Sequence, residues 1–265
     1  MMDPHVTEDL LEKFVAWISD QPELPQNMDK ILLLRYLKAA KFDLSRAKEL
    51  LKNSLKIRRK FPHIFTQRDP MSKEMRNIIE IVQLVPMVER TPDNFKVSIF
   101  RLTDPDPDKI DFNHVIKAFY MAADIRLVTT EEVWADGEIP IFDMRNVSLR
   151  HITRVVLSTM RLFFKYSQDA HPVFVHQVHI VNCNSLVNRV LSLIKPFINA
   201  ENANRIHTHL PNSETLYKHV PRDVLPKEYG GTAGSLEALQ PYWLEYLETH
   251  RDYLNNEENW RLNFD

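Results

Sequence analysis

The residues best suited to chemistry in this 265-residue chain are its histidines. His171, His176 and His179 lie on or beside one apolar run, His207 and His209 on another, and Asp143 closes a third. A His-x-His pair on a strand presents both rings on one face, as a metal site requires, which puts His207 and His209 in position to share an ion. His176 and His179 are three apart and face opposite sides of a regular strand, and no His-Glu-x-x-His spacing occurs. The reading is therefore of structural or surface histidines, with His207 anchoring a hydrogen bond and no metal expected. Nucleophile machinery is missing too. There is no Gly-x-Ser-x-Gly, and Cys183 follows an apolar run beside asparagines, which suits a buried inert thiol. Four glycines are too few for a phosphate-binding loop: Gly137 and Gly234 are isolated, and no Lys-Ser/Thr follows Gly230-Gly231. The expectation is a protein that is not an enzyme and needs no cofactor.

The elements that must position these residues fall into two blocks. From Thr7 to about Lys60 apolar residues recur at three- and four-residue steps: Leu10, Leu11, Phe14, Trp17 and Ile18; then Ile31, Leu34 and Leu37; then Ala47, Leu50, Leu51 and Leu55. Pro22 and Pro25 divide the first two helices. Asp43 reads as the N-cap of a third, which ends at Phe61-Pro62 because the residue before proline is pushed out of the α region. Beyond Pro70, strand-like runs at Ile81 to Val88, Phe95 to Leu102, Ile139 to Met144, Val173 to Val181 and Ile206 to His209 alternate with helical spacing. The helical stretches are Asp111 to about Trp134, Ser148 to about Gln168 and Ser185 to Ile194, with a last helix over Trp243 to Leu254. This alternation predicts an α/β fold with a mostly parallel sheet. The expected division is a three-helix subdomain over residues 1–70 and a second domain over residues 71–265.

A composition of 44% hydrophobic and 26% charged residues suits a globular chain with a sizeable core. The net charge of −2 supplies no global field for nucleic acid, and no nucleic-acid partner is expected. No run of about 18 apolar residues is present, so membrane contact is expected to be peripheral. A single cysteine and the absence of an apolar signal near Met1 lead us to expect a reducing, cytoplasmic setting.

Four blocks carry a family resemblance: Leu33 to Asp43 (LLRYLKAAKFD), Pro172 to Asn182 (PVFVHQVHIVN), Lys195 to His209 (KPFINAENANRIHTH) and Leu225 to Gly231 (LPKEYGG). In this order and spacing, over roughly residues 10 to 250, the chain resembles the CRAL-TRIO family of lipid-transfer proteins, nearest the branch of tocopherol-transfer and retinaldehyde-binding proteins. The resemblance implies a helical N-terminal subdomain of the CRAL-TRIO-N type, then a lipid-binding domain with flanking helices and a mobile gate helix.

By pattern alone, the helix from Ser185 is apolar on more than one face and suits either ordinary core packing or a movable element. The resemblance implies that Asn184 to Phe197 is a gate over a lipid cavity. Carried over by position, the ligand-binding residues are Pro140 and Phe142 on a strand, Val155, Phe163 and Tyr166 on the next helix, and Val175 and Val178 on the next strand. Val187, Val190, Leu191 and Ile194 follow on the gate, with Phe119 and Ala123 from the preceding helix. Leu186, Leu193, Phe197 and Ile198 would form the membrane-facing gate surface. Glu138 falls where such proteins carry an apolar pocket residue. It either ends its strand in solvent or faces inward, where it would call for a ligand hydroxyl, with Tyr120, Ser158, Tyr166 and Ser167 as companions.

The same resemblance implies a phosphoinositide-gripping ring of cations at Arg58, Phe174, His176, Glu201 and Arg205. Here Phe174 and Glu201 replace cations, leaving Arg58, His176 and Arg205 as candidates and phosphoinositide binding open. Protonation of His176 would restore one charge at acidic pH. The expected partners are a small hydrophobic lipid and a membrane surface, with the protein a monomer. The expected work is transfer of a tocopherol, retinoid, carotenoid or isoprenoid-like molecule. The rival is a non-catalytic, lipid-responsive scaffold; because the chain ends at Asp265, soon after the domain, a stand-alone carrier is favoured.

Overall fold

The computed structural model describes residues 4–129 and 134–262. Three helices open the chain: α1 (Pro4–Ser19), α2 (Lys30–Ala39) and α3 (Leu44–Lys60). Asp29 and Asp43 cap the second and third by accepting from the amides of the first turn. Their inward stripes, including Phe14, Leu33, Leu37 and Leu51, form one core. Two shorter helices, α4 (Pro62–Phe65) and α5 (Lys73–Ile81), lead into the sheet.

Then follow β1 (Val82–Arg90), β2 (Phe95–Leu102), α6 (Phe112–Leu127), β3 (Gly137–Asp143), α7 (Leu149–Thr153), α8 (Leu157–Asp169), β4 (Val178–Val181), α9 (Val187–Ile194), α10 (Ala200–Ala203) and β5 (Ile206–Thr208). Helices α11 (Leu236–Thr249) and α12 (Arg251–Asn255) close the chain. The described strands form one sheet in the order β1-β2-β3-β4-β5; β1 is antiparallel to β2 and the rest run parallel. This is the α/β architecture expected of the alternation.

Strand alternation splits the sheet into two faces. Val97, Ile99, Ile139, Ile141 and Val181 pack with Leu216, Val220, Leu225 and Leu236. On the other face, Phe100 and Phe142 meet α6 through Phe119, and Ile180 and Ile206 meet α9.

Some boundaries differ from expectation. The strand expected over Val173 to Val181 pairs regularly only from Val178, apart from one bridge between Val175 and Glu138. Pro172 has no amide to donate, and Arg205 takes the Val175 carbonyl at 3.0 Å. The single helix expected from Ser148 is two, α7 and α8, interrupted at Arg154 to Val156, where β-branched Val155 and Val156 stand together. Helix α6 ends at Leu127; residues 130–133 of the expected helix lie outside the described residues. The last helix begins at Leu236, ahead of Trp243, because Ser235 caps it by accepting from the Ala238 amide, and it continues through Pro241.

The Leu225–Gly231 segment is a tight turn. Gly230 adopts φ 72°, and a Cβ on Gly231 would collide with the Leu225 carbonyl. The turn delivers the Tyr229 hydroxyl to Asp143 Oδ2 at 2.8 Å, pinning it to the end of β3.

Candidate functional site

Helix α9 carries Val187, Val190, Leu191 and Ile194 at i, i+3, i+4 and i+7, so one stripe faces inward. Val187, Val190 and Leu191 pack on Met144, Ile180 and Cys183. Asn188, Arg189, Ser192 and Lys195 face solvent, while Leu186, Leu193, Phe197 and Ile198 are half-buried at the margins. Cys183 is buried and bonds the Ile180 carbonyl; burial pushes its thiol up, away from a reactive thiolate.

A chain of phenylalanines runs from the sheet to the segment that follows α9. Phe142 stacks on Phe100 at 4.9 Å between ring centres, Phe100 on Phe119 at 5.1 Å, and Phe119 meets Phe163 edge-on at 5.0 Å. Phe163 then meets Phe164 at 5.3 Å, and Phe164 stacks on Phe197 at 6.5 Å. The sheet, α6, α8 and the segment after α9 are thus linked ring to ring. Each of these phenylalanines is half-buried.

Of the residues expected to line a cavity, Phe119, Phe142 and Phe163 come together here, and Val187, Val190 and Leu191 come together beneath α9. Phe100 was not anticipated; it is the β2 partner of Phe142 in the parallel register. Pro140 is buried on β3, and Ala123, Val155, Val175 and Val178 are half-buried. Gln168 was missed as well. From α8 its amide donates to the Phe197 carbonyl at 2.9 Å, and its oxygen accepts from Asn199 N and Asn202 Nδ2.

Tyr166 is turned toward the N-terminal helices. Its hydroxyl accepts from Arg58 Nε at 2.7 Å and meets Ser54 Oγ at 3.0 Å. The Tyr120 hydroxyl bonds the Phe163 carbonyl and Ser167, and Ser158 is exposed, so these hydroxyls are engaged within the protein or turned to solvent. Glu138 does not end its strand in solvent. It shares the inner face with Pro140 and Phe142 and forms an ion pair with Arg126 of α6 at 2.5 Å, so the protein itself supplies its counter-charge.

The candidate basic ring is divided. Phe174, His176, Glu201 and Arg205 meet: His176 stacks on Phe95 at 4.0 Å, and Arg205 pairs with Glu201 at 2.6 Å while lying over the Phe174 ring at 4.8 Å. Arg58 stands apart, 2% exposed, gripping both oxygens of fully buried Asp124 at 2.8 and 2.5 Å. Arg68 joins the same carboxylate. Burial pushes the Asp124 carboxyl up, but the two guanidinium groups outweigh it and hold it below the usual range.

The histidines gather on the opposite sheet face. His179 lies against His207, His209 and His219, with ring centres 5.2, 5.1 and 5.3 Å away. His179 Nδ1 and His209 Nε2 are 2.9 Å apart, and His209 Nδ1 meets Thr215 Oγ1 at 2.8 Å. Burial, then the neighbouring rings, push His179 down to about 3 and His209 to about 4. No group of three or more His, Cys, Asp or Glu among the described residues is arranged to hold a metal ion.

Comparison with known proteins adds kinship to this geometry. The profile of the CRAL/TRIO domain matches residues 80–231, and that of the Pinta-like UBA domain matches residues 3–75. An alpha-tocopherol transfer protein-like sequence from Homo sapiens is 30% identical over 218 residues, covering 82% of this chain and 63% of the relative. The Mus musculus counterpart is 31% identical over the same shares. Clavesin-1 from Xenopus laevis is 27% identical over 81% of this chain and 62% of its own length. The chain thus spans less than two thirds of these relatives. Among solved structures, Sfh5 superposes with a TM-score of 0.56 over 96% of this chain and 99% of its own, at 16% identity, a likeness of fold.

Proposed function

The chain belongs to the CRAL/TRIO family, and from that premise we propose that it binds one small hydrophobic molecule and exchanges it at membranes by movement of the segment from Ser185 to Ile198. The observation that supports this reading is the continuous run of half-buried rings from Phe142 and Phe100 through Phe119, Phe163 and Phe164 to Phe197. These keep exposed apolar surface where a hydrophobic molecule would remove it. Covering about 300 Å² of such surface is worth roughly 7 kcal/mol before the entropy of association is subtracted.

The proposed cargo is a tocopherol, retinoid, carotenoid or isoprenoid-like lipid. Phe119, Phe142, Phe163, Val178, Val187 and Leu191 are its principal contacts, and Leu186, Leu193, Phe197 and Ile198 form the surface that meets the bilayer. In this reading the protein is a cytoplasmic, monomeric carrier that does no chemistry, with a helical unit over residues 1–70 and a lipid-binding unit over residues 71–265. No helix among the described residues is long and apolar enough to cross a membrane, in keeping with peripheral contact.

Native mass spectrometry of the purified protein, with organic extraction of any bound compound, tests the reading. A stoichiometric hydrophobic adduct supports the carrier. An empty protein that also takes up no added tocopherol, retinoid or isoprenoid overturns it in favour of a scaffold.

A further inference from the structure

The histidine cluster sits on the two strands whose other face carries α9. His179 of β4 and His207 of β5 are register partners, their rings 5.2 Å apart on one face of the sheet. One residue away on each strand the direction reverses: Ile180 and Ile206 point to the opposite face and pack with Cys183 against Val187, Val190 and Leu191. The His209 backbone closes this edge. Its amide donates to the Ile180 carbonyl and its carbonyl accepts from the Cys183 amide, both at 2.9 Å. β5 is three residues long and is the last of the described strands in the sheet.

The closed cluster has little place for added protons. His179 is fully buried and His209 is 4% exposed. One proton makes the 2.9 Å contact between His179 Nδ1 and His209 Nε2, so two imidazolium rings there would set donor against donor. His179 Nε2 is buried without a hydrogen-bond partner, and His219 packs 4.4 Å from His207 and 5.3 Å from His179 between ring centres. Burial first, then the neighbouring rings, push His179 down to about 3 and His209 to about 4; His207 moves down for the same causes. The other titratable or charged groups around the cluster are His176 on the approach to β4, and exposed Asp93 and Lys218 across a pocket of about 240 Å³. Beyond them lie the pairs Glu214–Arg222, Glu201–Arg205 and Asp143–Arg145, in which each carboxylate already has its cation.

We propose that the cluster is an acid-operated catch: protonation of its rings detaches β5 and the turn Glu214–Lys218 from β4, loosens the floor under α9 and releases the hydrophobic molecule held there. The release rests on the carrier reading; the detachment does not. In a detached edge each ring returns to its ordinary value near 6.5 and takes up a proton below it, while the closed cluster refuses one, so falling pH favours detachment. Between pH 7.5 and pH 5, His179 and His209 each favour the open edge by about thirtyfold.

Hydrogen exchange of the full chain at the two pH values, corrected for the intrinsic pH dependence of amide exchange, reads the detachment. Amides of residues 206–219 should lose protection by about thirtyfold for each ring released, and at pH 5 they should exchange at least about tenfold faster than those of β1 and β2. His209→Gln keeps a donor and an acceptor beside His179 and should remove one such factor. His219→Gln, at a half-buried ring, should lessen the loss and serves as the second variant should the first not fold. Protection that holds at pH 5, or exchange no faster than in β1 and β2, shows that the edge does not open by itself and overturns the proposal. A fluorescent tocopherol loaded at pH 7.5 reads the release. Dissociation at least about tenfold faster at pH 5, and slowed again in His209→Gln, supports the coupling, whereas an edge that detaches with no change in dissociation overturns it. A protein that takes up no tocopherol, retinoid or isoprenoid at pH 7.5 sinks the carrier reading, and the exchange rates alone then decide the catch.

Discussion

The Gln168 side chain on α8 donates to the Phe197 carbonyl at 2.9 Å across 29 residues of chain, while its oxygen accepts from Asn199 and Asn202. One amide thus ties the outer end of the proposed gate to the helix beneath it. Gln168→Leu keeps the volume and removes these contacts. Weakening the closed state by about 1 kcal/mol should accelerate opening by roughly fivefold, read as faster transfer of a fluorescent lipid between vesicles. A rate equal to or below wild type would show that this latch does not limit exchange.

The gate surface makes a separate demand. Leu193 and Phe197 are half-buried at the margin of the segment, with Phe197 over Phe164 and the Arg161 guanidinium. Replacing both by Asp puts two charges where the proposal requires shallow insertion among lipids. Vesicle transfer should fall by about tenfold or more while equilibrium cargo binding changes little. Unchanged transfer would remove the gate from the proposal.

Asp124 is the anchor between α3 and α6. It receives Arg58 and Arg68 at a site closed to solvent, and the Arg58 guanidinium also lies over the rings of Trp260 and Phe65. Asp124→Asn leaves two buried guanidinium groups with no counter-charge and should cost about 3–5 kcal/mol of stability, measured by urea unfolding. A loss below about 1 kcal/mol would mean that water or another group supplies the missing charge.

The histidine cluster sets a pH dependence. His179 and His209 are pushed down to about 3 and about 4 from an ordinary value near 6.5. As pH falls below about 6.5 the unfolded chain takes up protons that the folded rings refuse, so stability is fully present above that value and drains away toward pH 4. His207 and His219 beside them and Thr215 on the other side offer no carboxylate to reverse the sign. The urea midpoint should therefore fall between pH 7 and pH 5, before most carboxylates titrate, and His209→Gln should flatten that fall. A midpoint constant over this range contradicts the neutral cluster.

Much of the frame was legible in the residues because its causes are local. Asp43 caps α3 with its own side chain, Gly230 and Gly231 shape a turn that tolerates no Cβ, and the alternation of β2 and β3 assigns Phe142 and Glu138 to one face and Ile141 to the other. The strand around Pro172 was over-extended because Arg205, far along the chain, takes a carbonyl that the ladder would otherwise use.

The site itself was only half legible. Phe119, Phe142 and Phe163 were marked by family resemblance, whereas Phe100, Gln168 and His219 were not, since each acquires its role from a partner that no local spacing announces. Arg58 shows the limit most plainly. The family resemblance put it in a headgroup-binding ring, but the fold places it against Asp124, 66 residues away, and closes both off from water. Sequence alone determined which segments become helix or strand and which side chains share a face, because propensity, capping and periodicity act over a few residues. Only the tertiary structure decided which charges are answered and which rings meet, because burial and Coulomb attraction depend on distances that the chain sets by folding back on itself.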